Sequence, residues 1–245
     1  GHCGGLPNRG TDSALLQILN MLEARLECNG QGAAEDADFN LEFTSWDISK
    51  AFDSIGTHVQ YLAWRRIGIP DRYARWLIRL DVGGLFMITS PYATHRLHGV
   101  TMETPQSIHH HEVYAELGFR PERGFTQGDV KSPIGWICFF DILLTALRQL
   151  QPELYPTAPR GGSLHYTAYP QAFIDDLTTF TANRKHTEDL AALISAFNAT
   201  MGTRFAPKKF RAITSIPGGR ERPVLVYDWE WKATEMRFSD TSETV

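Results

Sequence analysis

Apolar residues recur at helical spacing in several parts of the chain. A residue every three or four positions places these side chains on one face of a helix, which is the pattern of a surface helix packed on a core. The first such stretch carries Leu15, Leu19, Leu22 and Leu26 on one stripe, after Thr11 or Asp12 as the capping residue. We therefore predict amphipathic helices over residues 11–26, 57–67, 71–80 and 187–201.

Residues 132–150 form a different pattern, because they are apolar nearly all round. A helix without a polar face is a buried helix. Ser132 and Pro133 are typical of its start, with Ser as the N-cap and Pro in the first turn. We expect this helix to lie inside the fold.

Strand patterns lie between the helices. Residues 41–48 alternate Leu, Phe, Ser and Asp with Glu, Thr, Trp and Ile, and end near Asp47. Residues 172–180 contain two short apolar and β-branched runs around Asp175 and Asp176, which predicts a hairpin with the acids at its tip. Alternating strands and helices predict an α/β or α+β sandwich with helices packed on a sheet.

Composition limits the size and setting of the protein. The chain has 245 residues, 42% of them hydrophobic, which suffices for one large domain or two small ones. It begins with Gly1 inside a turn-rich segment, so we expect a fragment of a longer protein. Three widely separated cysteines predict free thiols and an intracellular location, with nucleus and organelle not distinguished. The longest apolar run, 134–147, is too short to span a bilayer, so no membrane partner is expected.

The charge balance does not favour a binder of nucleic acid over its whole surface. The chain has 24 basic and 28 acidic side chains and a net charge of −4, whereas such domains are usually basic. Local charge matters more than the sum. Net charge therefore leaves the function open.

Three acidic residues offer the clearest chemistry. Asp175 and Asp176 are adjacent, so their charges repel, and a divalent cation with oxygen ligands removes that repulsion. Asp47 ends a predicted strand and would lie near them if the two strands are neighbours. Such a set can hold two ions about 3.5–4 Å apart, the arrangement used for in-line displacement at phosphorus.

The segment 123–133 lies between these acids in the chain. Gly124 and Gly128 allow close approach of backbone to a ligand. Gln127 can hydrogen-bond a base or sugar. The helix start at Ser132 exposes amide groups of the kind that bind phosphate.

Together these motifs resemble those of a known family. Asp47-Ile-Ser-Lys-Ala-Phe-Asp53, Gln127-Gly-Asp-Val-Lys-Ser-Pro133 and Phe173-Ile-Asp-Asp176 look like motifs A, B and C of reverse transcriptases, in the family's order. The residues of these motifs are most similar to those of non-LTR retrotransposon and group II intron-type enzymes. Weaker likenesses are Gly5–Ala14, similar to a fingers segment, and Ala206-Pro-Lys-Lys209, similar to motif D. The resemblance covers about residues 5–210.

The resemblance implies a role for particular residues. Asp47, Asp175 and Asp176 would be the metal ligands, and Lys209 would protonate or pair with the departing pyrophosphate. Phe52 would exclude a ribose 2′-OH by steric contact and so favour dNTPs. The remaining nucleotide contacts implied by the motifs are Lys50, Ala51, Gln127 and Gly128.

The resemblance also implies a fold and partners. We expect a right-hand polymerase palm, with a small antiparallel sheet backed by helices, over residues 46–216. Residues 1–45 would be partial fingers, and residues 217–245 a tail that begins the palm–thumb connection. The cofactor would be Mg²⁺ or Mn²⁺. The partners would be an RNA template, a DNA primer and a dNTP, with missing fingers and thumb on the parent chain.

Two other functions stay open at this point. An RNA-dependent RNA polymerase shares the palm, although Phe52 and the Phe173-Ile174 pair speak against it. A non-catalytic palm, kept as an RNA-binding module or a retroelement relic, fits the acidic net charge. His109-His110-His111 could bind a transition metal, but a polar loop is the preferred interpretation.

Overall fold

The computed structural model describes residues 15–16, 18–23, 40–82, 86–87, 96–97, 100–101, 118–119, 122–126, 129–150, 155–159, 165–228 and 230–240. Residues 15–16 and 18–23 are helical. The other α-helices are α1 (Ala51–Ser54), α2 (Thr57–Arg66), α3 (Asp71–Val82), α4 (Lys131–Leu150) and α5 (Arg184–Met201). Short 3₁₀ turns cover Pro207–Lys209 and Gly219–Glu221.

The strands of the described ranges are mostly short. In chain order they are β1 (Glu42–Trp46), β2 (Ile48–Ser49), β3 (Phe86–Met87), β4 (Arg96–Leu97), β5 (Val100–Thr101), β6 (Gly118–Phe119), β7 (Thr157–Pro159), β8 (His165–Thr167), β9 (Gln171–Phe173), β10 (Asp176–Thr181), β11 (Arg204–Phe205), β12 (Arg211–Thr214), β13 (Val224–Tyr227), β14 (Ala233–Met236) and β15 (Ser239–Asp240).

A five-stranded sheet in the order β15-β12-β1-β10-β9 organises the fold. Its neighbours are antiparallel except for the parallel pair β12 and β15. Two-stranded ladders pair β2 with β11, β3 with β6, β4 with β5, β7 with β8, and β13 with β14. Strand β1 lies in the centre, between β10 and β12, so the strand that leads to Asp47 is held on both sides.

Helices α4 and α5 cover one face of this sheet. The buried side chains of α4 include Trp136, Phe139 and Phe140, and they share one hydrophobic core with Trp46 and Leu177 of the sheet. Helix α5 contributes the apolar face Leu190, Ala191, Ile194 and Phe197 to the same core. The buried helix predicted from its uniform apolarity and the mixed helix–sheet architecture are both present.

Helix α5 begins and ends where capping groups allow. The Asn183 side chain accepts a hydrogen bond from the His186 amide at 2.9 Å, so the helix starts three residues before the predicted Thr187. Gly202 closes it in the left-handed conformation, with φ 71°, which favours glycine.

Three expectations from the sequence are corrected here. The N-terminal leucine stripe is not buried: Leu15, Leu19 and Leu22 are exposed, whereas Met21 on another face is fully buried. Segment 217–245 is not a plain tail, because β13 and β14 form a hairpin whose Val224, Val226 and Met236 join the core, and β15 extends the main sheet.

The third correction concerns the start of α4. Ser132 lies inside the first turn, and its hydroxyl donates to the Thr126 carbonyl at 2.6 Å. Asp129, two residues before the helix, satisfies one amide of the first turn, because its side chain accepts from the Lys131 amide at 3.0 Å.

In the described part of the chain, the helices fall short of the length and hydrophobicity that crossing a bilayer requires.

Candidate active site

Strand pairing brings the acidic residues of two distant motifs to the same end of the sheet. Trp46 of β1 lies opposite Leu177 of β10, and Glu42 lies opposite Thr181 at the other end. One further step of this antiparallel register sets Asp47 across from Asp176. Cross-strand neighbours point to the same face of a sheet, so these two acids share the face away from buried Trp46.

Asp175 lies in the two-residue turn that joins β9 to β10, where Phe173 pairs with Asp176. Its neighbour Ile174 has φ 57°, in the left-handed region where a β-branched residue is rare and strained. The Trp136 indole donates to the Ile174 carbonyl at 2.6 Å and so ties the turn to α4. The acidic tip is therefore fixed to the core and is not a freely solvated turn.

The three acids interact electrostatically. Burial raises the pKa of Asp175, and the Asp47 charge raises it further. Burial likewise raises the pKa of Asp176, as do the charges of Asp175 and Asp47. The Lys209 ammonium acts in the opposite direction on both. Their ionised forms thus lack a sufficient counter-charge, as expected of a cation site.

Lys209 reaches this cluster from the 3₁₀ turn after β11. The Ala206 amide donates to the Asp47 carbonyl at 3.0 Å, which places the turn next to the end of β1. The Lys209 ammonium then lies 3.1 Å from the Asp47 Oδ2, with 68% of the lysine side chain exposed. Lys209 thus lies beside Asp47, while Lys208 makes no such pair in the described ranges. The role of Lys209 toward the pyrophosphate stays a prediction.

The donor set fits a divalent cation in its chemistry. Carboxylate oxygens are hard ligands suited to Mg²⁺ or Mn²⁺. The Asp47 Oδ1 is buried and has no hydrogen-bond partner among the described residues, so it is free to accept a hydrogen bond or bind an ion. The described side chains do not form a ready-made group of three metal ligands, and Asp47 instead pairs with Lys209.

Phe52 lies five residues after Asp47, on α1. Its ring packs on Trp136, with 5.3 Å between ring centroids and 34° between planes, and it is half-buried. The same Trp136 holds the Ile174 carbonyl, so Phe52 and the acidic turn share one support. Lys50 precedes α1 in the left-handed conformation with φ 49° and is exposed, while Ala51 is buried.

The segment leading into α4 is fastened to motif A through Gly124. The Gly124 amide donates to the Ile55 carbonyl, and the Phe125 amide donates to the Phe52 carbonyl, both at 2.8 Å. Gly124 has φ 92°, and an added Cβ would lie 2.7 Å from the Asp53 Cα. Only glycine meets both requirements. The close approach is to the backbone of α1, whereas the sequence predicted an approach to a ligand.

Asp81 is a residue of this region that sequence reasoning missed. It is fully buried, and its Oδ1 accepts from the Lys131 ammonium at 2.7 Å and from the Thr126 amide and hydroxyl at 3.1 and 2.9 Å. Lys131 also pairs with Asp129 at 2.7 Å. Asp81 lies near the end of an amphipathic helix, fifty residues before Lys131, and on the buried side of that helix. A charged residue where the periodicity predicts an apolar one is the signal that could have identified it.

Two predicted nucleotide contacts, Gln127 and Gly128, lie outside the described residues, as do His109, His110 and His111. Their flanks are described: Thr126 and Asp129 are both held by the Asp81–Lys131 network. Burial alone would lower the pKa of Lys131, but its hydrogen bonds with Asp129 and Asp81 raise the pKa overall. The lysine therefore remains a cation in a largely enclosed position.

Comparison with known proteins gives a consistent picture. The sequence profile of the family "Reverse transcriptase (RNA-dependent DNA polymerase)" matches residues 17–238. The chain is 26% identical over 185 residues to the retrovirus-related Pol polyprotein from the type-1 retrotransposable element R2 of Nasonia vitripennis. That match covers 74% of this chain and 15% of the relative.

The fold is similar to that of telomerase. Telomerase from Candida tropicalis in complex with the TWJ fragment of telomeric RNA superposes with a TM-score of 0.55 at 10% identity, over 92% of this chain and 33% of that chain. Apo telomerase from the same organism, truncated from the C-terminal domain, gives a TM-score of 0.50 at 10% identity, over 93% and 40%. The chain thus spans well under half of the proteins that it resembles.

Proposed function

The chain belongs to the reverse transcriptase family, and on that basis we propose that it catalyses RNA-directed DNA synthesis for a retroelement. The observation that carries this proposal is the convergence of Asp47, Asp175 and Asp176 at one end of a central antiparallel pair. The likeness to an R2 Pol polyprotein supports the retroelement origin. The reaction would join a dNTP to the 3′-OH of a DNA primer on an RNA template.

Asp47, Asp175 and Asp176 would hold two Mg²⁺ or Mn²⁺ ions. When bound, such ions supply a lower pKa for the primer hydroxyl and charge neutralisation on the leaving pyrophosphate. The protein contributes the position of the ligands: β1 fixes Asp47, and the Trp136 hydrogen bond fixes the turn that carries Asp175. The partnerless Asp47 Oδ1 is the oxygen most in need of a cation.

Lys209 would change partners during the reaction. In the structure its ammonium lies 3.1 Å from the Asp47 carboxylate. A cation on Asp47 makes that ion pair unnecessary, and the largely exposed lysine can then face the pyrophosphate as a charge partner or proton donor. Lys208, on the same turn, is the natural comparison for this role.

Phe52 would select the sugar. Its ring cannot move towards α4, because Trp136 packs against it at 5.3 Å. A ring held beside C2′ leaves no space for a 2′-oxygen, so dNTPs are favoured over NTPs. The backbone from Lys50 to Phe52 would face the triphosphate, and Gln127 with Gly128 would contact the nucleotide and template.

The domain assignment remains part of the proposal. Residues 46–216 would form the palm and residues 1–45 part of the fingers, and the rest of the fingers and the thumb would lie elsewhere on the parent chain. The palm and those parts would then bind an RNA–DNA duplex together. An intracellular compartment is expected from the sparse cysteines.

Primer extension on an RNA template tests the proposal. Asp175→Asn should abolish dNTP incorporation in the presence of Mg²⁺, because an amide binds a hard cation poorly. Asp141→Asn is the matched control, since Asp141 is half-exposed and pairs only with side chains outside the acidic cluster. Undiminished extension by the Asp175 variant would contradict the assignment of the metal site.

The Lys209–Asp47 ion pair also supports a second candidate, a palm that binds RNA without catalysis. Mg²⁺ or Mn²⁺ titration with dNTP, read as melting temperature, separates the two, because a catalytic palm is stabilised by its ligands. The RNA polymerase alternative is tested by Phe52→Ala. This variant should gain NTP incorporation if the ring selects deoxyribose, and a wild-type preference for NTPs would favour the alternative.

A further inference from the structure

Helix α3 presents three arginines and a tryptophan on its outward face. These residues are Arg72, Arg75, Trp76 and Arg79. The last three follow Arg72 by three, four and seven positions, which places all four on one side of the helix. Ala74 and Asp81, both buried, lie on the opposite side. All four outward residues are exposed, and Trp76 is 56% exposed. We call these four residues the arginine face.

An open cleft of about 360 Å³ adjoins the arginine face, between α3 and the start of α2. His58 and the two arginines at its rim are exposed. The amide groups of the first turn of α2 start here, and Gly56 provides no side-chain cap for them. The cleft is lined by Thr57, His58, Tyr61, Arg75, Ile78 and Arg79.

The charge of this surface is opposite in sign to the net charge of the chain. Residues 57–82 contain five arginines and two aspartates, in a chain whose net charge is −4. One of the aspartates, Asp81, is buried and already paired with Lys131. The other, Asp71, pairs with Arg75 at 2.9 Å. Within the described residues Arg79 has no ion-pair partner, so the surface is left with excess positive charge.

The aromatic rings at this surface are already in contact with arginines. The Arg72 guanidinium lies 4.5 Å from the centre of the Tyr73 ring, and that of Arg75 lies 5.3 Å from the centre of the Tyr61 ring. Trp76, beside them, has more than half of its surface in water. Guanidinium groups suit phosphates by their planar fork, and exposed rings suit unstacked bases.

We propose that the arginine face and its cleft bind the phosphate backbone of single-stranded RNA, namely the unpaired part of the template. This inference rests on the proposed function for the identity of the polyanion. Helical rise spaces Arg72 and Arg79 by about 10 Å, so more than one phosphate can be engaged at once. The excess of arginine over accessible carboxylate favours a polyanion over a protein partner, although aromatic residues and arginine also occur at protein interfaces.

The test measures binding of a fluorescein-labelled single-stranded RNA by anisotropy over a series of KCl concentrations. The variant carries Arg72→Gln, Arg75→Gln and Arg79→Gln. The salt slope, the steepness with which the logarithm of the binding constant falls with the logarithm of the salt concentration, decreases by about 0.7 for each lost phosphate contact. The slope of the triple variant should therefore be smaller by about 2. A fourfold rise in salt should then cost wild type about 20-fold more affinity than the variant. The matched control removes the same charge from exposed arginines of another region, Arg220, Arg222 and Arg237.

Two single variants distinguish the loss of RNA contacts from a folding defect. Arg79→Gln removes a side chain without an ion-pair partner in the described ranges, so it should leave the melting temperature unchanged and reduce the salt slope by about 0.7. Trp76→Ala should weaken RNA binding about tenfold through lost stacking.

The outcomes separate this inference from the proposed function. Asp175→Asn should keep wild-type RNA affinity while losing primer extension, and RNA binding without any extension would leave the arginine face supported while the polymerase proposal fails. Equal loss in the triple variant and its control, or loss in neither, overturns the inference. Unchanged RNA affinity with altered self-association of the triple variant assigns the face to a protein contact instead and overturns it too.

Discussion

Replacing Lys131 with methionine tests whether a buried ion pair supports the segment between motif A and helix α4. Lys131 is 14% exposed and Asp81 is fully buried, with 2.7 Å between ammonium and carboxylate. Methionine keeps much of the apolar stem and removes the charge. The variant therefore leaves the Asp81 carboxylate inside the protein with only its two hydrogen bonds from Thr126.

The size of the effect follows from burial. Removing one partner of a buried ion pair costs about 3–5 kcal/mol of unfolding free energy. The Thr126 hydrogen bonds remain and water reaches part of the site, so we expect a loss near the lower end, about 3 kcal/mol. The bond from Lys131 to Asp129 adds little, because the Asp129 side chain is 39% exposed.

The pH dependence gives a second readout. Hydrogen bonds from Lys131 lower the pKa of Asp129 from its usual 3.8. This carboxylate therefore stabilises wild type above pH 3.8, and the contribution is lost as the pH falls through the lower folded value. In the Lys131→Met variant the side-chain part of that contribution is absent, while the backbone amide of residue 131 still donates to Asp129, so the loss of stability in acid should be smaller than in wild type.

Urea unfolding followed by tryptophan fluorescence measures both quantities at neutral and acidic pH. Lys185→Met is the matched control, since Lys185 pairs with Asp189 at 2.8 Å but is 73% exposed, and it should cost less than about 1 kcal/mol. Adding Asp81→Asn to Lys131→Met should recover about 2 kcal/mol through the coupling of the two sites. If Lys131→Met costs no more than the control, the ion pair does not stabilise this segment and our reasoning is refuted.

Three further variants probe other parts of the fold. Glu42→Gln should lower the unfolding free energy by about 3 kcal/mol in urea titrations, because it leaves buried Arg184 without its carboxylate; a change below about 1 kcal/mol would contradict this. Gly124→Ala should cost more than about 2 kcal/mol in the same assay, since its Cβ would meet the backbone of α1, whereas Gly202→Ala, with open space around it, should cost about 1 kcal/mol. Asp175→Asn should raise the melting temperature of the metal-free chain at neutral pH. Burial and the Asp47 charge raise the pKa of that acid, so its charge destabilises the fold as pH rises above 3.8 through the folded value, and a difference that persists below pH 3.8 would refute this.

Glu42 shows where alternation along a strand failed as a guide. The pattern over residues 41–48 contains two candidate faces, one with Phe43 and Asp47 and one with Glu42 and Trp46. The structure buries the second face, including the fully enclosed Glu42, whose carboxylate accepts hydrogen bonds from Arg184, Thr187 and Thr214. A polar side chain is buried here because partners from two other elements satisfy it, and those partners are more than 140 residues away.

The sequence by itself determined the local features: a hairpin at the acidic pair, the glycine end of α5, the buried character of α4 and the order of the three motifs. These depend on interactions over a few residues, such as turn preference, capping and hydrophobic periodicity. The structure placed the turn of that hairpin at Ile174 and Asp175, with Asp176 in β10. Tertiary structure alone decided which face of β1 is covered, that Asp81 meets Lys131, and that Lys209 neutralises Asp47. The physical reason is that each of these depends on which charged or polar groups meet across the fold. Periodicity along one segment carries no information about such distant partners.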